Sequence, residues 1–88
     1  MSYKVKFTKG AKKQLRKLPL DVQKRIQARV NDLKIEPRPD GVKKLKGQEN
    51  SYRIRIGDYR VVYEIEDNVL KVTVVKVKHR SEVYKDDG

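Results

Sequence analysis

Three short runs in the second half of the chain constrain its fold more than any other feature. Ser51–Ile56, Tyr59–Ile65 and Val69–Lys78 are rich in β-branched and aromatic residues and alternate apolar with polar side chains, the period of a strand with one buried face. Gly57-Asp58 and Asp67-Asn68 separate them, and both are two-residue turn signals. An antiparallel meander is expected. Two-residue turns fix the register. They pair Ile56 with Tyr59, Arg55 with Arg60, Ile54 with Val61 and Arg53 with Val62, then Glu64 with Lys71, Tyr63 with Val72 and Arg60 with Val75. One face then carries Ile54, Ile56, Tyr59, Val61, Tyr63, Ile65, Leu70, Val72 and Val74, the expected core.

The first half supplies the cover for that face. Tyr3–Phe7 alternates as a strand, and Thr8 offers a helix N-cap. Lys9 to Leu18 places Ala11, Leu15 and Leu18 on one stripe, and Pro19 ends this helix and opens the next. Val22, Ile26, Val30 and Leu33 recur at helical spacing, and Pro37 and Pro39 stop the second helix near Lys34 or Ile35. From Arg38 to Asn50 the chain reads as a basic loop. The expected fold is α+β, in the order β-α-α-β-β-β, with a small antiparallel sheet and a two-helix hairpin on one face. At 88 residues a single domain over 1–88 is expected.

Charge narrows the function. The chain has 23 Lys+Arg against 12 Asp+Glu, a net +11. Residues 1–50 carry +10 of it. Such a field attracts polyanions. There is no cysteine and one histidine, which excludes disulfide scaffolds, thiolate zinc sites and cysteine nucleophiles, so no metal and no cofactor is expected. No apolar run reaches a membrane span and no signal peptide is legible. A cytoplasmic protein without a membrane partner is expected.

The face opposite the core contains an anomaly. Arg55 stands across from Arg60, and Arg53 adds a third cation two residues away. Like charges directly opposite destabilise a sheet. Two readings follow: a solvated basic face whose side chains splay apart, or a site that places an anion between guanidinium groups. Lys78 and Arg80 extend the cluster if the last strand curls over it. Tyr84 either stacks on a base or packs against the terminus.

Tyr52-Arg53-Ile54-Arg55-Ile56-Gly57-Asp58-Tyr59-Arg60-Val61-Val62-Tyr63, followed by His79-Arg80-Ser81-Glu82-Val83-Tyr84, resembles the RelE/ParE superfamily of bacterial and archaeal toxins. The Leu45-x-Gly47 lead-in, the element order and the length agree, and the pattern is closer to the RelE branch. The resemblance implies a metal-independent endoribonuclease that cuts messenger RNA in the ribosomal A site. In this chemistry the 2′-hydroxyl attacks the adjacent phosphate, leaving a 2′,3′-cyclic phosphate and a 5′-hydroxyl. It also implies a cognate RelB-like antitoxin with an acidic toxin-binding segment, in a heterodimer or heterotetramer.

By position, Arg60 matches the family's phosphate-binding arginine and Tyr84 its base-stacking tyrosine. Lys78 falls where an arginine proposed as general acid usually sits, and Arg80 matches a further basic position. Arg53 and Arg55 stand where the best-known RelE sequences have lysines. Arginine stays protonated, so Lys78 becomes the candidate for proton transfer, with His79 second. The expected catalytic set is Arg55, Arg60, Lys78 and Tyr84, with Arg53, Arg80, Lys43, Lys44 and Lys46 binding RNA. Two other functions stay open: a ParE-like toxin that inhibits gyrase without nuclease activity, and a non-catalytic RNA- or ribosome-binding domain.

Overall fold

The computed structural model describes residues 2–81. The elements are β1 (Lys4–Phe7), α1 (Lys9–Arg16), α2 (Leu20–Asp32), β2 (Lys43–Lys44), β3 (Ser51–Ile56), β4 (Tyr59–Glu66) and β5 (Lys71–His79). The sheet order is β1-β5-β4-β3-β2. The expected α+β architecture is present, with two differences. A short strand, β2, forms inside the basic loop and pairs antiparallel with the edge of β3. And β1 joins the meander parallel to β5, because the two helices between β1 and the meander return the chain to the sheet running the same way as β5.

Local chemistry accounts for the helices. Thr8 Oγ1 accepts the Ala11 N–H at 3.1 Å and caps α1. Pro19, which cannot donate, stands at the N-cap of α2. Ala11 and Leu15 of α1, Ile26 and Val30 of α2, and Leu33 just beyond it are buried against Ile54, Ile56, Val61, Tyr63, Ile65, Val72, Val74 and Val77. Tyr59 and Leu70, expected in the core, are half-buried at its margin. Tyr63 is fully buried and its hydroxyl donates to the Pro37 carbonyl at 2.7 Å. Burial pushes this phenol well above the ordinary tyrosine range.

The β3–β4 register is as expected, with Arg55 opposite Arg60. Gly57 has φ +59° as the first residue of the two-residue turn, a conformation that glycine adopts without steric penalty. The β4–β5 register differs. Asp67–Val69 forms a 3-10 turn and Leu70 is left-handed at φ +51°, so four residues rather than two make the connection. Glu66 therefore faces Lys71, Glu64 faces Thr73 and Tyr63 faces Val74. A bulge follows. Val62 faces Lys76, which leaves Val75 without a residue across from it. Beyond the bulge Arg60 faces Lys78 rather than Val75.

A polar clasp holds this turn. Arg38 donates to both carboxylate oxygens of Asp67, at 3.2 and 2.7 Å, and to the Tyr52 hydroxyl at 3.1 Å. The Tyr3 hydroxyl donates to the same Asp67 at 2.7 Å. The hydrogen bonds from Arg38 and then Tyr3 hold the Asp67 carboxyl below its usual range.

Candidate active site

The corrected register turns the outer sheet face into an ordered array. Inward residues alternate with outward ones, so Arg55, Arg60 and Lys78 form one row across three strands. Lys43, Arg53, Val62 and Lys76 form the next row across four. Strands lie about 4.8 Å apart and alternate residues about 6.6 Å apart. Six cations therefore share a patch of roughly 14 by 7 Å, with Val62 as its apolar centre. Arg53, Arg60 and Lys78 are half-buried, whereas Arg55, Lys43 and Lys76 are exposed.

Arg60 does not splay into water. Its Nη1 donates to the carbonyls of Gly57 and Tyr59 at 3.3 and 3.1 Å, which holds the guanidinium at the hairpin turn. The Arg80 N–H donates to the Asp58 carbonyl at 2.7 Å, so the chain leaving β5 crosses the same turn. Among the described residues neither Arg55 nor Arg60 forms an ion pair. The acidic residues of this face, Glu64 and Glu66, lie toward its other end, opposite Thr73 and Lys71.

Of the residues expected in the site, Arg53, Arg55, Arg60, Lys78 and Lys43 are together on this face, and Arg80 is at its turn end. Lys44 pairs with Tyr52 on the side facing the helices. Lys46 is exposed in the turn after β2. His79 faces Tyr59, with their rings edge-on at 5.3 Å, so it sits on the opposite side of the strand from Lys78. Tyr84 lies outside the described residues. Lys76 was missed, because only the bulge brings it to this face. Among the described residues no three His, Cys, Asp or Glu side chains cluster to hold a metal.

A small, strongly basic α+β chain with arginines clustered on one sheet face has the makings of a polyanion-binding protein. Residues 5–84 match the family described as the ParE toxin of a type II toxin–antitoxin system, parDE. The chain is 34% identical to "Toxin RelE3" of Methanocaldococcus jannaschii, covering 92% of this chain and 94% of the relative. It is 32% identical to "mRNA interferase toxin RelE" of Escherichia coli, covering 98% and 94%. The RelE–RelB complex of Pyrococcus horikoshii superposes with a TM-score of 0.81 at 35% identity, covering 91% of this chain and 97% of that one. The chain belongs to the RelE/ParE superfamily of toxins of type II toxin–antitoxin systems.

Proposed function

We propose that this toxin is a ribosome-dependent endoribonuclease that cleaves messenger RNA in the A site. The observation that carries the reading is the row Arg55–Arg60–Lys78, in which cations stand directly opposite one another and, among the described residues, no carboxylate pairs with Arg55 or Arg60. An RNA phosphate between them offsets their repulsion. The 2′-hydroxyl gives up its proton and its oxygen attacks the adjacent phosphorus. The bond from phosphorus to the 5′-oxygen breaks, and that oxygen takes a proton. Charge on the phosphoryl oxygens grows toward the pentacoordinate transition state, so fixed guanidinium groups bind that state more tightly than the substrate.

Arg55 and Arg60 clamp the phosphate, Lys78 moves a proton, Tyr84 stacks on a base, and Arg53 and Lys43 hold the flanking backbone. Lys78 directly across from Arg60 supports its place ahead of His79, which is on the other side of the strand. The basic helices and the 43–46 lysine run dock on ribosomal RNA phosphates, with strong salt dependence. A RelB-like antitoxin with an acidic segment neutralises the toxin in a heterodimer or heterotetramer. The Pyrococcus relative was solved with RelB, and one of the similar proteins carries the name mRNA interferase.

The test is cleavage on programmed ribosomes with an empty A site, against the same RNA free in solution. Cuts confined to the A-site codon, ending in a 2′,3′-cyclic phosphate and a 5′-hydroxyl and lost in Arg60→Ala, are expected. The match to the ParE family supports a second reading, a gyrase-inhibiting toxin. In that case Arg60→Ala stays toxic and no RNA is cut.

A further inference from the structure

The register of β5 is decided where its support changes. Up to Val74 the strand is held on both edges, by β4 on one side and by β1 on the other, with Phe7 beside Val74 and the Thr8 N–H donating to the Val74 carbonyl at 2.9 Å. There β1 ends and the chain turns into α1, so from Val75 onward β4 is, among the described residues, the only strand beside β5. The bulge falls at this point. Backbone groups on the abandoned edge need new partners.

A side chain from α1 supplies one. Gln14 Oε1 accepts the Val77 N–H at 2.7 Å, in a half-buried contact between residues 63 apart in the chain. The Thr8 hydroxyl reaches the Val75 carbonyl only at 3.5 Å, too long to hold the strand by itself. Val77 is buried opposite Val61, and Lys78 is the next residue. Were the bulge to close up, the register set near the turn would put Val77 opposite Arg60 and turn Lys76 and Lys78 toward the helices, since a one-residue slip exchanges the two faces.

We propose that Gln14 is a positioning residue for the cationic face: its amide stands in for the missing strand neighbour and locks the bulged segment so that Lys78 faces Arg60. The inference rests on the ribonuclease reading for its effect on rate, but its structural half is measured separately. Gln14 touches no substrate; it acts through the Val77 N–H.

The experiment compares Gln14→Leu, similar in size but without an acceptor, with Gln14→Glu, which keeps an Oε acceptor in the place of the amide oxygen. Each full-length variant is assayed for A-site cleavage, melting temperature and exchange of the Val77 amide, with the Arg60–Lys78 cross-strand NOE as a register marker. Gln14→Leu is expected to exchange Val77 faster, weaken the NOE and lower kcat roughly 10- to 100-fold, the scale of a displacement of about 1 Å at a reacting centre, while remaining folded at the assay temperature. Gln14→Glu is expected to restore exchange protection, the NOE and kcat together. Unchanged Val77 exchange and an unchanged NOE in Gln14→Leu overturn the proposal, as do equal losses in the two variants. If the wild-type protein cuts no RNA, the ribonuclease reading falls, and the exchange and NOE data still decide whether Gln14 sets the register.

Discussion

Arg55→Glu should stabilise the protein while removing the proposed phosphate clamp. Arg55 is directly opposite Arg60, with Arg53 on the same face and Lys78 on the far side of Arg60. A like-charged pair costs, and an opposite-charged pair gains, on the order of 0.2–1 kcal/mol. Reversing one sign is therefore worth about 0.4–2 kcal/mol. For a domain of this size, each 1 kcal/mol raises Tm by about 4–8 °C. The screening length falls from about 10 Å at 0.1 M salt to about 3 Å at 1 M, so the gain should shrink as salt is added. Thermal melts of the wild type, Arg55→Gln and Arg55→Glu at low and high salt check this, with A-site cleavage measured on the same samples. Stability should rise in that order at low salt while activity falls. If both variants melt at or below the wild-type temperature at low salt, the arginines already avoid each other in water, and the case for a strained anion site is lost.

Other perturbations probe the frame that presents this face. Tyr63→Phe keeps the ring but leaves the buried Pro37 carbonyl without its donor; it should lower the denaturation free energy by about 1–3 kcal/mol with an unchanged m-value. Ile26→Ala opens a cavity in the fully buried helix–sheet contact and should cost about 2–5 kcal/mol in the same assay. The Asp67 carboxyl is held below its ordinary value by Arg38 and Tyr3. Its contribution is therefore complete above the unfolded carboxylate pKa, near 3.9, and is lost as pH falls through the depressed folded value. Melts between pH 6 and pH 2 should show less acid destabilisation in Asp67→Asn than in the wild type.

The legibility of each part follows from how local its cause is. The Arg55–Arg60 pair was readable because Gly57-Asp58 closes a two-residue turn whose geometry belongs to those two residues. The Asp67-Asn68 turn carried a similar local signal, but its ends are held by groups from elsewhere. Arg38 and Tyr3 grip Asp67, and the Lys4 N–H donates to the Leu70 carbonyl at 2.8 Å. Those contacts hold Leu70 in a left-handed conformation that leucine seldom adopts alone. No pattern within the strand announced the resulting shift in register. The strand at Lys43–Lys44 was hidden for a related reason, since two residues are too few to show a period.

By itself the sequence determined the type of every strand and helix except β2, the two-helix cover, most of the apolar core and the polyanion-seeking charge. Each of these depends on residue identity and short-range spacing, which burial and local backbone preference act on directly. Tertiary structure decided which cations meet. Lys78 and Lys76 reach the face of Arg55 and Arg60 through a four-residue turn and a bulge, and α1 supports that bulge through Gln14. A single extra residue in a strand exchanges its two faces. Contacts between residues far apart in the chain, from 29 positions for Arg38 and Asp67 to 63 for Gln14 and Val77, therefore settled the composition of the site.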